Sequence, residues 1–347
     1  MEHTSRDTVP VYGSSGLPTS YEELVRRSLQ GSIFAHRWWL EAVAPGMHEI
    51  LEIRSEGGFH AGWPLVYCKR DGAKHIFMPP LSQKLGILVA PSDAKPAEVQ
   101  STNQRLATEL IRRLGEPASF HQNFHENFSD WLPFYWHGYT QTTRYTYVLE
   151  DITNLEVLWK NMRGNTRQNI RKAQKLGVTI KDDLELPKFL ELNRKTFLRQ
   201  GRVPLASDDL IYRLDQACCA NAGRRIFAGV DSQGRVHGAV YVVWADNTAY
   251  YLMGAGEPDL RESAAQILAL WEAITFASSV AKRFDFEGSM LPQVERIFRG
   301  FGATQVPYFT IRKEPPVPTS LRDFVKAAIK SRWSRTRRTV AGGFQRR

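Results

Sequence analysis

Between residues 49 and 80 apolar residues come in short alternating runs broken by glycine-rich and polar turns, a pattern that predicts strand, turn, strand, turn, strand. The same pattern returns between 225 and 256. At an offset of 176 residues, Ile50, Gly58 and Gly62 fall on Ile226, Gly234 and Gly238. A helical period follows each meander, over 100–114 and over 260–281; in the second, Ile267, Leu268, Trp271, Ile274 and Ala277 share a face. A strand-like run comes next in both places, FHQNF around Phe120 and RFDFEG from Arg283, and 144–149 reads as a further strand. The repeated order predicts an α+β (mixed αβ) chain of two tandem units, each a mostly antiparallel twisted sheet flanked by helices. We place a flexible lead-in at 1–30, the first unit at 31–149, the second at 150–313, and a proline linker with a basic tail at 314–347.

Composition agrees with a folded chain long enough for two cores. The net charge of +10 is uneven: 319–347 holds nine Lys/Arg against one acid, a net of +8, which leaves +2 for everything before Thr319. The excess basicity belongs to the tail, which weakens a reading of the body as a nucleic-acid-binding protein. Cys68, Cys218 and Cys219 are too few and too badly spaced for a disulfide framework or a zinc site. His121 and His125 stand four apart in a strand-like run, where that spacing makes no chelating face, so no metal is expected. Trp38, Trp39 and Trp63 read as core and rim residues. The N-terminus has no export pattern, and no apolar run approaches the roughly 20 residues that cross a bilayer. A cytoplasmic location is expected.

Two basic stretches stand out. In WKNMRGNTRQNIRKAQKLG (159–177), Arg163, Arg167, Arg171 and Lys175 recur every four residues. That spacing predicts one amphipathic helix with four cations on a face and Met162, Ile170 and Ala173 toward a core. The face suits a phosphate-rich ligand or plain solvent. In the tail, Leu321, Phe324, Val325, Ala328 and Ile329 have helical spacing among cations. Over 319–338 this fits peripheral contact with an anionic membrane, a solubilising tail, or nucleic-acid contact.

SIFAHRWWLEAV (32–43), RYTYVLED (144–151), NTRQNIRKAQKLG (165–177), YYLMGAG (250–256) and FDFEGSMLPQVERIFRGFGA (284–303) occur in an order that resembles the FemAB/FemX-like transferases, a branch of the GNAT acyltransferase superfamily built from two GNAT-type domains. The shorter BioF2-like members, associated with extracellular polysaccharide or cell-envelope biosynthesis, are the most similar. The resemblance implies transfer of an acyl or aminoacyl group to an amine. The donor would be a co-substrate, acyl-coenzyme A or aminoacyl-tRNA, rather than a bound cofactor. The family's pyrophosphate turn falls on GAGEPDLRESAAQ, with Gly254 and Gly256 before the helix and Arg261 in the turn; no glycine follows Arg261, which leaves both donors open. Arg299 falls where Fem-like enzymes carry a basic residue that contacts substrate phosphate or stabilises the transition state; an ion pair with Glu295 is the alternative.

Acyl transfer needs a base for the amine proton. Asp285 and Glu287 alternate in FDFEGS, which predicts one strand with both carboxylates on the same face. Glu287 is the preferred base and Asp285 its partner; ion pairs with Lys282, Arg283 or Arg296 would explain them equally well. The sequence thus reads as a cytoplasmic N-acyltransferase acting on an amino group of a nucleotide-activated or lipid-linked sugar or other envelope precursor, at the inner face of the membrane if the tail docks there. An aminoacyl-tRNA-dependent peptidyltransferase is the second reading, and a non-catalytic basic protein that binds membrane or RNA the third.

Overall fold

The computed structural model describes residues 16–204 and 206–314. The linker and tail beyond Glu314, with the helix predicted over 319–338, lie outside the described residues. The first half runs α1 (Tyr21–Arg27), α2 (Arg37–Val43), β1 (His48–Ser55), β2 (Gly58–Arg70), β3 (Ala73–Ile76), β4 (Leu88–Val89), α3 (Pro96–Leu114), β5 (Ser119–Asn123), α4 (Leu132–Trp136) and β6 (Thr140–Leu149). The second runs α5 (Leu155–Asn161), α6 (Gly164–Lys175), β7 (Thr179–Lys181), α7 (Leu186–Arg199), α8 (Asp208–Asn221), β8 (Gly223–Val230), β9 (Val236–Ala245), β10 (Thr248–Gly256), α9 (Ala265–Ala277), β11 (Arg283–Asp285), α10 (Pro292–Gly300) and β12 (Thr304–Lys313). Each half carries meander, helix, strand, helix, strand.

The twelve strands of the described residues belong to one sheet, in the order β1-β2-β3-β5-β12-β6-β11-β10-β9-β8-β7, with β4 on β2. The pairs β3–β5 and β10–β11, at corresponding places in the halves, are parallel, and the other strand pairs are antiparallel. The final strands change places. β12, from the second half, lies against β5 of the first, while β6, from the first half, lies against β11 of the second. β12 and β6 pair from Thr304 opposite Val148 to Arg312 opposite Thr140, which stitches the halves together.

Two apolar layers cover the second half's strands. One holds Phe34, Trp39, Phe189 and Tyr241 beneath α2, α7 and α8. The other holds Ile170, Ala173, Leu268, Ala273, Phe284 and Phe286 beneath α6, α9 and α10. Helix α9 sits close to the sheet because β8 and β9 offer glycines under it: a Cβ on Gly229 would lie 2.8 Å from that of Ala265, and one on Gly238 3.0 Å from that of Gln266.

Three sequence expectations need correction. The single helix over 159–177 is two helices, broken where Met162 (ψ 147°) and Arg163 (ψ 146°) are extended. The Arg163 N–H donates to Gly300 O at 2.9 Å, and the Arg167 guanidinium donates to the carbonyls of Trp159 and Lys160, both at 3.1 Å, and of Met162. The second-half helix does not start at 260: Pro258–Ser263 is a 3-10 turn, Ala264 is left-handed (φ 57°), and α9 begins at Ala265. Within the expected lead-in, residues 21–27 form α1 with Leu24 and Val25 buried. Its N-terminus is capped by Ser20, whose Oγ accepts the Glu23 N–H at 3.1 Å, while Glu23 accepts the N–H of the preceding Thr19 at 2.8 Å. No helix among the described residues is long and apolar enough to cross a membrane.

Candidate active site

β10 and β11 stay paired only from Thr248/Arg283 to Tyr250/Asp285. Beyond that point β10 bulges. Tyr251 opposes Val242 and Met253 opposes Tyr241, so Leu252 has no residue across from it. β11 simply ends, and here the expected strand carrying both carboxylates on one face is corrected. Asp285 Oδ1 accepts the Glu287 N–H at 2.8 Å, a local bond that replaces ladder pairing, and Glu287 (φ 58°) and Gly288 (φ 63°) turn left-handed. Gly288 is required, since a Cβ there would lie 2.2 Å from Tyr145 O. Between the parted strands opens a cleft of about 270 Å³, walled by Gln83, Asn123, Arg144, Leu252, Glu287 and Tyr308 among others.

A buried ionic network supports this cleft from behind. Lys84, on the loop after β3 and 1% exposed, donates to Asp285 Oδ2 at 2.7 Å and to Glu126 Oε2 at 2.6 Å. Arg283 donates to the other Glu126 oxygen at 2.6 Å and to Glu150 at 3.0 Å. Asp285 Oδ1 also accepts the Thr146 hydroxyl at 2.6 Å. Burial alone would push the Lys84 ammonium toward neutrality, but the charges of Asp285 and Glu126 raise its pKa instead. Burial likewise opposes ionisation of Glu126, and Lys84, His125 and Arg283 overcome it, holding that carboxyl below its ordinary range. His125, buried beside them, is pushed down to about 4 by desolvation.

Glu287 is the exception in this neighbourhood. Its Oε1 is buried and has no hydrogen-bond partner among the described residues, and the same holds for Gln83 Oε1. Burial first, then the charge of Asp285, raises the Glu287 pKa well above that of an ordinary carboxyl. Both residues face one cleft. Across it, the Arg144 guanidinium donates to Tyr308 Oη at 3.3 Å.

The remaining predicted residues lie elsewhere. Gly254 and Gly256 are in β10 rather than in a turn; Gly254 O accepts Asn193 Nδ2 at 2.9 Å, and Gly256 N–H donates to Thr196 Oγ1 at 2.9 Å. Arg261 is exposed in the 3-10 turn, 3.8 Å from Glu262. Arg171 sits 5.6 Å from the Trp159 ring. Arg163, Arg167, Arg171 and Lys175 do not form one continuous helix face, because Arg163 precedes α6 and Arg167 is taken up by carbonyls. Arg299 is bidentate on Glu295, at 2.7 and 3.3 Å, and Glu295 also accepts Tyr147 Oη at 2.9 Å. None of these cations lines the cleft. Sequence reasoning missed Lys84, Glu126, Arg144 and Thr146. Lys84 meets Asp285 across 201 residues, and nothing local to it signals that meeting. Among the described residues no group of three or more His, Cys, Asp and Glu could hold a metal ion.

Family comparisons extend over the same region. The model described as an acetyltransferase (GNAT) domain matches residues 160–289, ending in the cleft wall, and the model of the FemAB family matches 85–204. Among solved structures, FemX aligns at a TM-score of 0.64 and 13% identity, over 82% of this chain and 94% of that one. A conserved protein of unknown function from Bacteroides thetaiotaomicron VPI-5482 aligns at 0.51 and 9% identity, over 84% and 95%. At such identities the likeness is one of fold. No curated protein matches the sequence.

Proposed function

We propose that this chain, FemAB-like and of the GNAT superfamily by those matches, is an N-acyltransferase in which Glu287 takes the proton of an amine held in the cleft. The observation that carries this reading is the pair of orphaned acceptors. Leaving Glu287 Oε1 and Gln83 Oε1 buried and unpaired costs about 1–3 kcal/mol each, and a ligand bearing N–H donors would recover it. An amine is such a ligand.

The transfer balances simply. Ionised Glu287 accepts a proton from the ammonium, and the neutral nitrogen adds to the donor carbonyl. The C–N bond forms, the C–S bond of a thioester breaks, the departing thiolate takes the second proton from the nitrogen, and Glu287 gives its own proton to solvent. The oxyanion needs a donor near the carbonyl, and the β10 bulge at Leu252, which lines the cleft, is where the main chain would have to supply one. A coenzyme A donor would run along β10 with its phosphates at the first turn of α9, where Ser263, Ala264 and Ala265 are small and Arg261 is exposed. Arg144 and Tyr308 would grip a phosphate or carboxylate on the acceptor, which suits a nucleotide-activated or lipid-linked amino sugar or another envelope precursor. The FemAB match favours a second donor, aminoacyl-tRNA, for which the exposed Arg163, Arg171 and Lys175 would meet the RNA backbone.

The test sets thermal stabilisation by acetyl-coenzyme A beside that by deacylated tRNA at matched ionic strength, then follows transfer to amino-sugar acceptors in wild type and Glu287→Gln. A coenzyme A shift lost in Arg261→Ala, with transfer abolished in Glu287→Gln, supports the proposal. A salt-resistant shift with tRNA alone moves the donor to aminoacyl-tRNA, and full transfer by Glu287→Gln removes Glu287 as base.

A further inference from the structure

Beside the cleft is a second cavity of about 180 Å³, between α7, the start of α8 and β10. Leu81 and Leu252 line both, so the two spaces adjoin. Phe197, Ala206, Ile211 and Met253 complete the apolar wall. Among the described residues no lining side chain is charged, and the two polar ones are engaged: Asn193 donates to Gly254 O, and Tyr251 Oη accepts from Gln266 at 3.4 Å. The slot therefore presents hydrocarbon. Outside it, Leu198 and Val203, neighbours of the lining residues Phe197 and Pro204, are 73% and 81% exposed, so apolar surface continues from the rim. Leu81 is held left-handed, φ 56°, where the two spaces meet, a backbone strain of the kind stored at working sites.

This inference rests on the N-acyltransferase reading: we propose that the slot receives the hydrocarbon chain of the acyl donor, so that the transferred group is an apolar acyl of about six carbons. Volume and chemistry set that class. At about 30 Å³ for each water-sized group, the slot has room for roughly six heavy atoms. An acetyl group would leave most of it empty, and the ammonium of an aminoacyl group would enter a wall with no carboxylate to meet it. The carbonyl would stay at the cleft end, near Leu252 and Glu287, where C–N formation and C–S cleavage proceed as above.

The experiment measures dissociation constants of straight-chain acyl-coenzyme A esters from two to ten carbons on the full chain, beside the matching N-acetylcysteamine thioesters, which keep the acyl group but lack the nucleotide. Each methylene taken into the slot should tighten binding about fourfold, levelling near six carbons. Ala206→Trp, which fills the slot, should move the levelling point to shorter chains, and Ile211→Ala, which deepens it, to longer ones. Binding by coenzyme A esters that ignores chain length, or a profile that neither variant moves, overturns the slot and leaves the coenzyme A donor standing. Chain-length-dependent binding by the small thioesters with none by any coenzyme A ester supports the slot and removes coenzyme A as donor.

Discussion

Lys84 holds two buried carboxylates, and removing it would leave Asp285 and Glu126 facing each other with Arg283 and His125 beside them. Breaking one side of such a network costs about 3–5 kcal/mol, so Lys84→Met should lower the urea midpoint sharply. Glu287 should behave oppositely. Its Oε1 has no partner to lose among the described residues, so Glu287→Gln should hold or raise the melting temperature while transfer falls by about 10²- to 10⁴-fold. Its raised pKa also fixes the sign of the pH dependence. A base must be ionised, so kcat/KM should rise with pH through a limb centred above 4.5, and the limb should vanish in Glu287→Gln. The carboxylates stood out in the sequence as two acids beside a glycine after a strand-like run, but ion pairing explained them there equally well, and Asp285 is indeed paired, with Lys84. Lys84 did not stand out, because its charge is explained only by residues 42 and 201 positions away.

At the scale of elements, the meanders were readable because alternation and glycine turns are local signals, and their helices followed for the same reason. The 159–177 segment misled because the four-residue charge period runs unbroken through the junction, while the chain itself breaks at Met162–Arg163. Gly164, the first residue of α6, was the local mark of that break. Arg167 then serves α5, covering its final carbonyls, so Arg167→Ala should destabilise by about 1 kcal/mol and speed amide exchange in 155–162 more than elsewhere. The end of β11 makes a stricter demand. Gly288→Ala sets a left-handed backbone against a carbonyl only 2.2 Å away, and it should cost both stability and transfer, whereas Ser289→Ala should cost neither to that degree. A loss of transfer common to both would point to a role for the hydroxyl instead.

The whole molecule depends on contacts that no local pattern encodes. Three matched residues at an offset of 176 signal the repeat, but the exchange of β6 and β12 joins elements whose pairing is settled only when both halves are present. A second clasp ties the halves at the far end of the β9–β10 hairpin. His36, on the N-terminal side of α2, lies between Glu22, which meets Nδ1, and Asp246 of the hairpin turn, 2.5 Å from Nε2. Burial works against its charge, but the hydrogen bonds to Asp246 and Glu22 prevail and raise its pKa to about 9 from an ordinary 6.5. Because the folded value is the higher one, the clasp contributes fully below pH 6.5, and its contribution is lost as pH rises through about 9. The shift corresponds to about 3 kcal/mol across that window. Urea unfolding of wild type at pH 6, 7.5 and 9.5 should show that loss, while His36→Gln should start lower and stay flat over the same range. Parallel slopes in the two proteins would mean that His36 titrates alike in the folded and unfolded chains and that the clasp adds no pH-dependent stability.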